Sequence, residues 1–246
     1  MHPSIKAFLR TVTAHVVFPA AERVSRTSAP RIFRFMESAD MWHSYQPAPW
    51  FGIHDSARAE ATLARWSVIE RELAGIPPGS AMDLGAQSGF FTFKLAEAGF
   101  LTLGVEDDID CIRAMRLIKK GARLDLAAIN HARITSANVA ALPVVDVTIF
   151  LSLWHHMCRA EGFEAAKQIL RTVLAKTRHV CFFETGQSDE SYMGWAPALP
   201  RMEPTAQQWI TQLLQECGAK TVRHLGAFET HLGPVPRHMF AALMQG

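Results

Sequence analysis

Two stretches of this sequence are apolar over a full strand length. Val144-Val145-Asp146-Val147-Thr148-Ile149-Phe150-Leu151 is nearly all apolar, and Val180-Cys181-Phe182-Phe183 repeats the pattern. A strand with one face in water alternates apolar and polar residues, so a strand without alternation must be covered on both faces. That demands helices above and below a sheet, which parallel strands joined by crossover helices provide. The rest of the chain supplies them. Residues 57–74 read as a helix stopped by Gly75-Ile76-Pro77-Pro78-Gly79, and residues 80–84 as the first strand. A helix to Ala98 with a Gly99 cap follows, then a strand over 101–105 and a helix over 109–120 ending at Gly121. Helices are also predicted over 163–175 and 205–217, the latter capped by Gly218. Strand-like runs 221–228 and 237–243 flank a turn at Gly233-Pro234-Val235-Pro236. The expected fold is α/β: a mostly parallel sheet with helices on both faces and a C-terminal antiparallel hairpin.

With 246 residues, 49% hydrophobic and 20% charged, the chain is long enough for one such domain with a substantial core. A formal net charge of +2 does not point to nucleic acid. Cys111, Cys158, Cys181 and Cys217 are scattered without metal spacing, which fits reduced thiols in a cytoplasmic protein and no bound metal. No apolar run approaches the roughly 18 residues of a membrane span. Lys6 and Arg10 interrupt the apolar residues where a signal peptide would need them unbroken.

Residues 1–44 form a basic amphipathic segment, distinct from a domain expected over 45–246. Residues 1–36 carry Lys6, Arg10, Arg23, Arg26, Arg31 and Arg34 against Glu22 alone, and Ile5, Phe8, Leu9, Val12 and Val16 share one helical face. Pro19 ends that helix and Pro30 closes the segment. Packing on its own domain or a partner subunit is one reading. Peripheral contact with an anionic membrane surface, on the cytoplasmic side, is the other.

Ligands of such sheets bind beyond the carboxyl ends of the strands. Asp83-Leu84-Gly85-Ala86-Gln87-Ser88-Gly89-Phe90-Phe91 lies at the first of these ends, an acid and a tight turn leading into a helix. The dinucleotide fingerprint needs three glycines, and only Gly85 and Gly89 are present, with Gln87 between them. A carboxylate at Asp83 would repel a pyrophosphate but suits an ammonium group. Glu106 ends the second strand, where a carboxylate can accept from both ribose hydroxyls. Asp107 and Asp108 read as helix-capping acids. S-adenosyl-L-methionine fits this constellation. Its contacts are expected from Asp83, Gly85, Gln87, Gly89, Phe90, Glu106 and Leu151, with adenine near Ala137-Asn138 after the third strand.

Catalytic candidates cluster at later strand ends. His155 and His156, on a loop after the fourth strand, have the near-neutral pKa of a general base. Glu184, ending the fifth strand, could orient a histidine or act as base itself. Trp154, His231 and Arg237 are candidate substrate contacts, Arg237 as a clamp for phosphate or carboxylate.

The loop resembles motif I of the class I methyltransferases, departing at Gln87 where a third glycine is usual. That resemblance implies a Rossmann-like, seven-stranded sheet and methyl transfer. A narrower likeness joins Tyr45-Gln46 and Trp50, Asp83-Leu84-Gly85, Trp154-His155-His156 and Gly226-Ala227-Phe228-Glu229-Thr230-His231-Leu232-Gly233-Pro234-Val235-Pro236-Arg237. Over residues 45–243 these look similar to the methyltransferase domain of the bifunctional kinase–methyltransferases that terminate bacterial O-antigen chains. It implies cofactor contacts from Tyr45 and Arg65, a lid over 45–50, and a saccharide or phosphosaccharide acceptor. In that family a terminal glycan phosphate is methylated. This chain leaves no room for a kinase, so phosphate and sugar hydroxyl both stay open. Other acceptors (RNA, a small metabolite, a peptide) or a catalytically silent cofactor-binding module remain alternatives.

Overall fold

A computed structural model describes residues 28–38, 45–54 and 58–245. The predicted helix over the first 18 residues lies outside them. The described chain is a seven-stranded sheet in the order β3-β2-β1-β4-β5-β7-β6. Strands β1 (Ser80–Leu84), β2 (Leu101–Glu106), β3 (Ala127–His131), β4 (Val145–Leu151) and β5 (Thr177–Glu184) are mutually parallel. β7 (Gly233–Leu243) runs antiparallel between β5 and β6 (Thr221–Thr230). The α/β expectation with a closing antiparallel pair holds.

Side-chain alternation sends each central strand to two separate cores. Met82, Leu84, Phe150, Cys181, Phe183, Phe240 and Ala242 face one side. There they pack on helices α5 (Trp154–Glu161), α6 (Phe163–Ala175) and α7 (Ala206–Glu216). Ala81, Val147, Ile149, Val180, Phe182, Met239 and Ala241 face the other, under α2 (Ala59–Leu73) and α3 (Phe90–Glu97). Period-2 geometry thus converts the apolar runs into double-sided strands. A third cluster joins α1 (Ala29–Ser38) to α4 (Ile109–Ala122) through Ala29, Phe33, Phe51, Ile112 and Ile118. Phe33 meets Phe51 edge-on with ring centroids 5.4 Å apart. Among the described residues no helix is long and apolar enough to cross a membrane.

Several local expectations change. Pro30 opens α1 at its second residue rather than closing a segment, because a first helical turn has no use for its missing N–H. α4 passes through Gly121 and ends at Arg123, whose φ is 57°. A side chain at Gly121 would meet the Phe51 ring at 2.6 Å, so this glycine marks close packing rather than a stop. The hairpin turns at His231-Leu232, with Thr230 opposite Gly233, so Pro234 and Pro236 lie within β7. Trp154-His155-His156-Met157 begins helix α5 and is not a loop.

Candidate active site

Two joined cavities follow the carboxyl edge of the sheet. The first, about 380 Å³, runs from Gly85 past Val105, Glu106 and Asp107 to Ala132, Arg133 and Ile134 after β3, with His156 and Met157 of α5 opposite. The second, about 170 Å³, is lined by Tyr45, Arg58, Arg65, Asp83, Gln87, Leu151, Ser152 and Glu184, among others. Gly85, Glu106 and Leu153 belong to both, so the two are halves of one trough.

The loop at the junction is shaped by backbone geometry. Gly85 has φ 74°, and a Cβ there would meet Leu153 at 3.1 Å. Gly89 has φ 90° and stands at the N-cap of α3 without a side chain to satisfy the helix end. Gln46 does that from a distance: its Oε1 accepts from the Phe90 N–H at 3.0 Å and the Ser88 hydroxyl at 3.3 Å. Trp50 Nε1 donates to Glu97 at 2.5 Å and packs edge-on against Phe93, tying the 45–54 segment to α3 at a second point.

The carboxylates have different environments. Asp83 is buried, accepts from the Thr92 hydroxyl at 2.7 Å, and is raised by desolvation to a pKa of about 7. Glu106 accepts from the backbone N–H groups of Gln87 (2.8 Å), Asp107 (2.9 Å) and Asp108 (2.9 Å). Those bonds use about three of its four acceptor positions, which leaves room for one ribose hydroxyl rather than both. Desolvation outweighs these bonds and raises its pKa. Asp108 caps α4 as expected, through the N–H groups of Asp110 and Cys111. Asp107 instead pairs with Arg133 at 2.6 Å beside the first cavity.

At the mouth of the second half, three guanidiniums converge. Arg65 donates to Glu184 at 2.7 Å, and Glu184 also accepts from the Ser152 hydroxyl at 2.7 Å. Arg237 binds both oxygens of buried Glu190 (2.8 and 2.9 Å) and donates to Ser152 at 3.2 Å. Arg58 lies over the Tyr45 ring at 4.0 Å and donates to His231 Nδ1, with no carboxylate partner among the described residues. Desolvation, then the nearby Arg237 charge, lowers Arg58 to about 9.

Several candidates from the sequence take other places. His155 is 1% exposed, and its Nδ1 accepts the Gly186 N–H at 2.9 Å. Burial holds its pKa well below the ordinary 6.5, and the Gly186 N–H occupies its Nδ1 lone pair, so neither cavity reaches the ring as a free acceptor. His156 lines the first cavity with Arg133 and Met157, and burial, then the Arg237 charge, lowers its pKa. Glu184 touches neither histidine and is compensated by Arg65. Trp154 is wholly buried, donates to the Ala166 carbonyl at 2.8 Å and packs among Phe163, Phe183 and Trp209, so it contacts no substrate. Arg237 is 1% exposed and neutralised by Glu190, which removes it as a free anion clamp. Phe90 is core, and Phe91 lines the trough instead. Asn138 folds its own loop, accepting from Thr135 N–H and donating to the Arg133 carbonyl, so Ala132–Ile134 take the place expected of Ala137-Asn138.

Arg58 and Ser152 escaped the sequence reading. Arg58 sits at the N-cap of α2, where a cation opposes the helix dipole, and that misplacement was a readable signal. Ser152 holds φ 55°, a strained value for a non-glycine residue, with nothing in the sequence to announce it.

No family model matches the chain. It is 29% identical over 166 residues to the O-antigen chain terminator bifunctional methyltransferase/kinase WbdD of Escherichia coli, covering 66% of this chain and 22% of that protein. The chain therefore spans less than a quarter of the curated relatives it matches. Its structure superposes on that of the bifunctional kinase–methyltransferase WbdD with a TM-score of 0.67 and 26% identity, over 85% of this chain and 46% of the other. Magnesium protoporphyrin IX methyltransferase from Synechocystis PCC 6803, solved with bound SAH, shares the fold at a TM-score of 0.53 and 16% identity, over 75% of this chain and 83% of that one. Sequence relationship and architecture agree: the chain resembles the methyltransferase domain of WbdD and has the seven-stranded, Rossmann-like fold of the class I S-adenosylmethionine-dependent methyltransferases.

Proposed function

We propose that this chain methylates an ionised oxygen of a phosphorylated saccharide. The residues of the trough suit the cofactor. Its first half accepts the nucleoside beside Glu106, and its second half offers the buried Asp83 carboxylate to the methionyl ammonium. When bound, the cofactor supplies a methyl group on a positively charged sulfur. Tyr45, Arg65 and Leu151 border the methionyl half, and the 45–54 segment covers it as a lid.

One observation carries the choice of acceptor. Arg58 faces the trough with no carboxylate partner among the described residues, while His155 is buried with its Nδ1 engaged by the Gly186 N–H and His156 lines the half of the trough we assign to the nucleoside. A sugar hydroxyl needs its proton removed; a phosphate oxygen is already ionised. His231 points the same way. Its Nδ1 accepts from Arg58, so the neutral ring carries its proton on Nε2 and is a donor there. Burial and Arg58 keep its pKa below 6.5. The residues at this end orient an anion and exclude water, and positioning supplies most of the rate. The likeness to an O-antigen chain terminator supports a glycan as the carrier of that phosphate.

Methyl transfer to a phosphosaccharide, followed as a 14 Da mass gain (one methyl replacing one hydrogen), tests this reading. Arg58→Ala should raise the acceptor KM about 10- to 100-fold, the loss of one charge-assisted contact, and leave cofactor affinity intact. His156→Ala should keep kcat. A His156→Ala enzyme without turnover would restore a histidine base and remove the phosphate argument.

A further inference from the structure

A further cavity of about 450 Å³ opens beside the trough, between α2 and the end of β6. It lies within the roughly 300–1,000 Å³ of small-molecule sites. Arg58 belongs to both this groove and the methionyl half of the trough, and its partner His231 lines the groove as well. The anion-orienting pair therefore stands at a junction, with the methyl donor's half on one side and an unassigned space on the other.

The two walls of that space are chemically distinct from the junction. Ala61 and Ala64 on α2 and Ala227 on β6 keep it open by being small. Glu60 and Glu229 offer acceptors, and Thr230 buries a hydroxyl that has no hydrogen-bond partner among the described residues. Phe228 adds an apolar surface. Carboxylates repel a polyanion and small alanines give little grip on a greasy ligand. An uncharged ring rich in hydroxyl donors matches them. We infer that the groove between α2 and β6 is the subsite for the acceptor's sugar, with the phosphate held at Arg58 and His231. This rests on the phosphate reading above and adds where the glycan lies.

The probes are mannose 6-phosphate and inorganic phosphate, titrated calorimetrically into the whole chain in the presence of S-adenosylhomocysteine. The sugar phosphate should bind at least about tenfold more tightly than inorganic phosphate. Ala64→Leu, an exposed helix position where leucine is nearly as favourable as alanine, should cut that advantage to within about twofold and leave inorganic phosphate unchanged. Ala227→Val should do the same from the opposite wall, where a β-branched residue suits the strand. Equal affinities in the unmodified chain, or a tenfold advantage surviving in both variants, would overturn the sugar subsite alone. Failure of inorganic phosphate to bind at all would overturn the phosphate reading, and the subsite with it.

Discussion

Asp83 shows how burial sets a residue's chemistry before any ligand arrives. Desolvation raises its pKa from 3.8 to about 7, against the opposing bond from Thr92. The folded chain therefore holds a proton that the unfolded chain releases near the ordinary value. The stability linked to it is full below about pH 4 and is lost as pH rises through 7. An ammonium group placed beside Asp83 would reverse the shift and expel the proton. Cofactor binding at pH 6 should then release protons, seen as a binding enthalpy that depends on the ionisation enthalpy of the buffer. Asp83→Asn should weaken binding and abolish that dependence. Identical enthalpies across buffers in the unmodified chain would rule the pairing out. The position of Asp83, Gly85 and Glu106 at the carboxyl edge of the sheet is legible because acid, turn and strand end are spelled out locally. The fates of Trp154, His155 and Arg237 are not, since burial and the partners Gly186 and Glu190 come from distant segments.

At the scale of elements, the sequence was read well where packing reinforces local pattern. β1, α6 and the two-sided β4 and β5 carry strong apolar signals, and their positions follow to within a few residues. β3 was not delimited, because Ala127–His131 is mostly half-buried or exposed and shows little apolar alternation. α5 carries no loop-to-helix signal: it spans only eight residues, and its N-cap, Leu153, has no side-chain cap to announce the start. Its helical form is what withdraws His155 into the core and leaves His156 lining the first cavity. α3 offers the sharpest test of an element. A Cβ at Gly89 would need a left-handed backbone and would sit 2.7 Å from Phe93 and 3.0 Å from Met115. Gly89→Ala should cost about 2–4 kcal/mol, the sum of left-handed strain and overpacking, read as a lower urea midpoint. An unchanged midpoint would show that the loop does not require its present path.

For the whole molecule, α1 packs with the domain that follows it. The sequence suggests a domain beginning at residue 45, yet Ala29 and Phe33 are fully buried against the Phe51 and α4 cluster. We expect a chain starting at residue 45 to be less stable than one starting at residue 28, by about the 3–5 kcal/mol of a Phe33→Ala substitution. Thermal or urea unfolding of the two lengths decides it. Equal stability would make α1 an ornament of the fold. A less stable shorter chain would make α1 part of the domain, so that a change at Phe33 is felt at Phe51 and, through the adjoining Trp50, across the 45–54 segment.

The trough and the groove open in different places, one beside α5 and the other between α2 and β6, and they meet at Arg58. Traffic through one doorway need not wait for the other. A glycan end could stay seated while spent cofactor is exchanged, which is the kinetics of random addition. Product inhibition reads this directly. The methylated product should compete with the acceptor, whereas obligatory donor-first addition makes it noncompetitive against both substrates. A strictly ordered pattern would mean that the 45–54 segment, held by Gln46 and Trp50, governs entry to both.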